Sequence, residues 1–387
     1  MDATTHEFRR RRAAQLAAPL HARLRTSTRC AIAFALFLGL SATPVADDPA
    51  RLAQAYADAI ETLNAKHSKA PGKQREDELE KLLPAPARKA FDALLRVKSH
   101  DELSSALERA ALAAIELDLE RDFAAARERL ASVDAPAVAR VGVLVSRERF
   151  SVRGVGGLDA KYCEHFADVF DAVLDVYDEL WGFAEYSKTP GKKLRVYVHL
   201  EPKIERPPHF APQFPYHSQI DFPVADAATF GSPTPDGKFL FYGLCHELGH
   251  VVAMWGERSD EADHHSWAHY TGVAAVEALS QDQRHAKLLS ELRDVRWRSL
   301  AKEREAAAGR KPGWKDYEST LALWIALHDS VGARAIGAAL NAVDAANQTL
   351  RIGRVRYYSR ERFEKALLAA AGDERQRAAL RELFAGD

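Results

Sequence analysis

One pentapeptide constrains this chain more than any other feature. His246-Glu247-Leu248-Gly249-His250 stands inside an apolar run, with Tyr242-Gly243-Leu244-Cys245 before it and Val251-Val252-Ala253-Met254-Trp255 after it. No charge or proline interrupts either flank, so the pattern predicts a largely buried helix over about 241–255. On a helix, residues i and i+4 project from one face. His246 and His250 therefore point the same way and can hold one metal ion between them. Glu247, in the same turn, stands where a carboxylate takes a proton from water on such a metal. The plainer alternative is a core helix with two satisfied histidines.

Two imidazoles do not complete a zinc site, because catalytic zinc takes three protein ligands and keeps a fourth position for water. The third must come from downstream. The segment from Gly256 to Tyr270 reads as a polar loop followed by a second helix over about 263–279, with Trp267, Tyr270, Ala274 and Ala278 as its packed stripe.

The His246–His250 pattern resembles the zinc signature of the zincin metallopeptidases, and the stretch that follows resembles the gluzincin branch. In gluzincins the third ligand is a glutamate opening the next helix, commonly within Glu-Gly-Phe-Ala-x-Tyr. Here His265-Ser266-Trp267-Ala268-His269-Tyr270 puts an aromatic residue, alanine and tyrosine in the same places. The resemblance implies zinc held by His246, His250 and His265. It makes Glu247 the catalytic base and sets His269 behind the ligands, one turn on. Asp263 and His264 are rival third ligands, and Glu277 is a more distant one. The chain departs from the family in carrying histidine where glutamate is usual, and in a shorter gap after His250. An all-histidine site leaves the metal more positive and its water more acidic. The metzincin branch is excluded, since its further histidine falls where this chain has Gly256.

The order of elements predicts an α+β fold. Residues 47–135 read as helices, the longest over 101–132 with a capping box at Ser99 and Glu102. Pro71-Gly72 breaks a polar connection. Strands are expected at 141–145, 149–153 and 194–200, a helix over 158–183, and a long loop or irregular hairpin over 201–238. Helices follow at 317–330 and 333–345, and a last pair is capped by Ser359. The expected organisation is a signal peptide over 1–46, an N-terminal helical region over 47–135, a zincin core over 136–290 and a C-terminal helical subdomain over 291–387. The resemblance further implies a substrate-binding sheet edge within 194–230. It also implies an oxyanion-stabilising residue, for which Tyr270, Tyr357 and Tyr358 are the candidates.

The apolar run from Ala31 to Leu40 is too short to span a bilayer comfortably. Arginines precede it, and small residues ending Pro44-Val45-Ala46 follow, which is the layout of an export signal. The reading is therefore a periplasmic or extracellular enzyme without stable membrane association. Removing residues 1–46 takes away seven arginines and two acids and shifts the formal net charge from −1 to −6. A mildly acidic chain has no general attraction to nucleic acid, so the expected partner is a protein or peptide substrate. Beyond the leader only Cys163 and Cys245 remain. A bridge between them is one reading, and two buried free thiols the favoured one. Together these features point to a secreted zinc-dependent peptidase, more endopeptidase than aminopeptidase. The alternative is an inactive binding protein on the same scaffold with a structural metal.

Overall fold

Burial of apolar stripes on helices and alternating strands sorts the chain into two hydrophobic cores. The computed structural model describes residues 48–68, 82–116, 119–182, 194–200, 209–211, 219–224, 235–255, 261–285, 299–346, 350–352 and 355–385. The expected leader over 1–46 and the break at Pro71-Gly72 lie outside them.

The first core belongs to helices α1 (Pro49–Ser68), α2 (Ala85–Arg96), α3 (Leu103–Glu116) and α4 (Glu120–Val133). Tyr56, Phe91, Leu107, Phe123 and Leu130 fill it. Asp122 is buried there and accepts from Tyr56 Oη at 2.5 Å and from Arg88. The single helix expected over 101–132 is two helices, α3 and α4. An unbroken helix of that length would hold half its stripe away from any partner, whereas two shorter helices bury both halves on α1 and on each other. The expected cap at Ser99 gives way to a turn in which Leu103 N–H reaches the His100 carbonyl at 3.0 Å.

A short helix, α5 (Val138–Val141), leads into a sheet that has five strands among the described residues. They are β1 (Val143–Ser146), β2 (Phe150–Val155), β3 (Leu194–Leu200), β4 (His209–Ala211) and β5 (Gln219–Val224), in the order β1-β2-β3-β5-β4. β2, β3 and β5 run parallel, while β1 and β4 lie antiparallel at the two ends. β1 begins two residues later than expected because Gly142 turns the chain at φ 75°, where an added Cβ would meet the Gly154 carbonyl. The segment expected as a long loop or irregular hairpin over 201–238 contains the antiparallel pair β4 and β5, as the second of those readings has it, and its last residues from Pro235 already belong to the next helix. Gln219–Val224 alternates polar and apolar residues, but Pro223 inside it speaks against a strand until its place in the sheet is known.

Helix α6 (Ala160–Trp181) crosses from β2 to β3 and lays Phe166 and Phe170 on the sheet, while Tyr177 Oη donates to the Cys245 carbonyl at 2.6 Å. Phe170 meets Phe150 edge-on with centroids 4.8 Å apart, and Phe166 meets Phe222 at 5.3 Å. Its opposite face is acidic and accepts Arg149, which reaches Asp171, Asp175 and Asp178 at 2.7–2.8 Å.

After β5 come α7 (Pro235–Val252), a short strand β6 (Met254–Trp255), α8 (Glu261–Gln281), α9 (Leu300–Ala307) and α10 (Tyr317–Ala345). α10 is interrupted at Gly332, where the expected break falls. β7 (Leu350–Ile352), β8 (Val355–Tyr358), α11 (Arg360–Ala370) and α12 (Glu374–Phe384) close the chain, and Ser359 caps α11 as expected. β6, β8 and β7 form a second small sheet. It holds Trp255 at the centre of an aromatic cluster with Trp267, Trp314, Trp324, Tyr358 and Phe363, at centroid distances of 4.9–5.8 Å. Thus the pentapeptide helix ends at Val252, three residues before the expected end, because Trp255 is drawn into a strand opposite Tyr358. No helix among the described residues is long and apolar enough to cross a membrane. The chain is an α+β protein.

Candidate metal centre

α7 carries His246, Glu247 and His250, and α8 packs along it. The two helices approach closely because a glycine faces the partner at each contact. A Cβ at Gly249 would lie 2.9 Å from Ala268 Cα and 2.3 Å from Thr271 Oγ1. One at Gly272 would lie 3.2 Å from the His246 backbone. Trp267 Nε1 donates to the Gly249 carbonyl at 2.9 Å and fixes the register between the helices. The aromatic cluster beneath holds Trp267 in turn, with Trp324 4.9 Å away.

This crossing sets His265, in the first turns of α8, against the pair on α7. One ring nitrogen from each of His246, His250 and His265 lies within 4.8 Å of the others. The ring centroids are 4.9 Å apart for His246 and His250, 5.0 Å for His250 and His265, and 5.9 Å for His246 and His265. Zinc with bonds of about 2.0–2.1 Å sets tetrahedral nitrogens about 3.3 Å apart. The 4.8 Å limit within which the three nitrogens fall is wider than that spacing, and His246 and His265 are the half-buried members of the group.

The electrostatics suit a cation ligand. His250 is buried, and burial holds its imidazole well below the ordinary 6.5, with His246, His265 and His264 pushing the same way. It is therefore neutral, the form a metal requires. Its Nδ1 is buried with no hydrogen-bond partner among the described residues. An unpartnered buried nitrogen beside two further imidazoles fits a metal-binding role better than a packing role. Glu247 is buried at 8 % exposure on the same helix turn.

The remaining candidates separate by geometry. His264 is not among the three histidines whose nitrogens converge, and its Nδ1 accepts the Trp255 backbone N–H at 2.7 Å, tying α8 to the small sheet. Glu277 accepts the Leu300 N–H at 2.8 Å and anchors α9. The Asp263 side chain lies outside the described ones. His269 sits behind the three-histidine cluster: its Nδ1 is 2.7 Å from Tyr242 Oη, which is itself 3.3 Å from His246 Nδ1. His269 Nε2 lies 3.2 Å from Glu303 Oε1. Tyr270 is buried against Trp324 and pairs with His328 at 2.9 Å, and Tyr358 belongs to the aromatic cluster. Tyr357 is half-buried, 6.4 Å from the His264 ring.

Sequence reasoning missed Tyr242 and Glu303. Tyr242 had a signal, since it precedes His246 by one helical turn and so shares its face. Glu303 had none, because its helix is distant in sequence and its neighbours are ordinary surface charges. Cys163 and Cys245 are buried free thiols, as favoured. Burial pushes the Cys163 thiol up to about 11 and the Cys245 thiol higher still.

These observations define an α+β protein with a three-histidine cluster gathered by two tightly crossed helices. No family model, no curated protein and no solved structure matches the chain.

Proposed function

We propose that the protein is an exported zinc-dependent metallopeptidase of zincin type. The observation that carries this reading is the convergence of His265 on His246 and His250, with Glu247 in the same turn. His246, His250 and His265 hold the ion. Zinc bound there supplies Lewis acidity, polarising a peptide carbonyl and making water easier to deprotonate. Glu247 takes the proton from the attacking water and passes it to the leaving amine. Its burial limits bulk water that would compete for the proton it carries.

The sheet supports a peptide substrate. β4 is the end strand, antiparallel to β5, and it packs beside α7. An end strand offers main-chain N–H and C=O groups that hold an extended peptide by strand addition. Cleavage within chains is the form of the activity proposed, and the mildly acidic sequence has no general attraction to nucleic acid. Export rests on the arginine-flanked apolar run alone.

Replacing Glu247 with Gln tests the reading. The variant should retain about one zinc per chain by metal analysis and lose cleavage of a peptide library by at least about 10²-fold. A variant that cleaves at the parental rate refutes the mechanism.

A further inference from the structure

We propose that Glu303 sets the tautomer of His246 through Tyr242 and His269, and so decides which nitrogen of that ring is offered to the metal. The inference rests on the metal-site reading above but not on turnover.

The three contacts form one line: Glu303 Oε1 to His269 Nε2 at 3.2 Å, His269 Nδ1 to Tyr242 Oη at 2.7 Å, and Tyr242 Oη to His246 Nδ1 at 3.3 Å. Of these groups only an ionised carboxylate cannot donate a hydrogen bond. Facing Glu303, His269 therefore carries its proton on Nε2. With Glu303 ionised and His269 neutral, Nδ1 keeps a lone pair; a doubly protonated His269 in the ¹⁵N spectra would reverse the line and overturn the proposal. Tyr242 must then donate its O–H to His269 Nδ1, and its oxygen accepts from His246 Nδ1–H. His246 is left with a bare Nε2, the atom a cation needs. With the opposite direction of donation, His246 would carry its proton on Nε2 and could not bind through it without rearranging.

The line is well sheltered. Tyr242 and His269 are 6 % and 7 % exposed, and the Glu303 side chain is 16 % exposed. Glu303 is also held in place from two sides. Its helix α9 starts where Glu277 of α8 accepts the Leu300 N–H, and Arg304 forms a two-pronged pair with Asp329 of α10 at 2.6–3.0 Å. Ligand histidines commonly give their second ring N–H to an acceptor, and losing that acceptor costs about 10–100-fold in metal affinity. Here the acceptor is a tyrosine, and its direction is dictated two residues further back.

The test uses the full chain without metal, labelled with ¹⁵N-histidine, and reads tautomers by long-range proton–nitrogen correlation. The expected result is His246 protonated on Nδ1 and His269 protonated on Nε2. Either ring in the other tautomer overturns the proposal. Zinc affinity, measured by competition with a chromophoric chelator, provides the second reading. Glu303→Leu should weaken binding about 10–100-fold. Glu303→Gln should stay within a few-fold of the parent, because the amide oxygen still accepts from His269 Nε2–H. Tyr242→Phe should match Glu303→Leu, and the double variant should be no worse than Tyr242→Phe. A Glu303→Leu variant that binds zinc like the parent, or a Gln variant no better than Leu, overturns the proposal. If a variant does not fold, the tautomers of the parent chain decide the matter. Neither reading uses a substrate, so a protein that shows these tautomers yet cleaves nothing refutes only the peptidase assignment.

Discussion

Gly249→Ala tests whether the closeness of α7 and α8 makes the site. The added methyl would lie 2.9 Å from Ala268 Cα and 2.3 Å from Thr271 Oγ1. The threonine hydroxyl can rotate aside, but Ala268 Cα is backbone and cannot. Carbon–carbon contacts settle at about 3.5–4.0 Å, so the helices must separate by roughly 0.6–1 Å. Overpacking of this kind costs about 1–3 kcal/mol. Alanine recovers about 1 kcal/mol over glycine in a helix interior. The net loss of stability is therefore small, roughly 0–2 kcal/mol. The metal site is less tolerant. His265 is one turn before Ala268 on the same rigid helix and shares its displacement, whereas metal–ligand distances hold to about ±0.2 Å. Zinc affinity should fall at least about tenfold, removing about 1.4 kcal/mol of zinc-dependent stabilisation. Thermal unfolding with and without zinc, together with chelator competition, measures both quantities. A Gly249→Ala protein with the parental zinc affinity and the parental zinc-induced rise in Tm refutes the argument that this crossing positions the third ligand.

Two further outcomes follow from the same geometry. His265→Ala should reduce zinc affinity by more than the roughly 10–100-fold that loss of a supporting hydrogen bond costs. His264→Ala should leave affinity nearly unchanged while lowering stability by about 1–3 kcal/mol, because the Trp255 N–H loses its acceptor; the reverse pattern in zinc titrations would make His264 the ligand. The metal-free protein should lose stability as pH falls below 6.5, because burial lowers the folded-state pKa of His250, and also that of His328, below the ordinary value. The unfolded chain then binds more protons than the folded one, with a limiting slope of about 1.4 kcal/mol per pH unit from His250. Denaturant titrations between pH 5 and 8 check this, and a stability that is flat or rises toward pH 5 would contradict it.

Much of the candidate site was legible in the chain itself, because local periodicity projects directly into space. The i, i+4 spacing of His246 and His250 predicts a shared helix face, and the stripe Trp267, Tyr270, Ala274 and Ala278 predicts the buried side of the next helix; the first three are buried and Ala278 is half-buried. Strand Leu194–Leu200 and the caps at Gly332 and Ser359 were likewise readable, since alternation and turn residues act over a few positions. The strands β4 and β5 were legible only as the irregular hairpin that stood beside a loop as a reading of 201–238, and the division of 101–132 into two helices was not legible. Those outcomes depend on which surfaces are at hand to cover an apolar face.

Sequence alone determined the inventory: two imidazoles and a carboxylate in one turn, inside a helix too apolar to stand in water. Only the tertiary structure decided which of His264, His265 and Glu277 joins them, because that choice depends on how closely two helices cross and where Gly249, Gly272 and Trp267 set their register. It alone brought Glu303 within reach of the same cluster, 3.2 Å from His269. Spacing along a chain reports distances only within one rigid element, and the contacts between elements arise from packing that no single segment encodes.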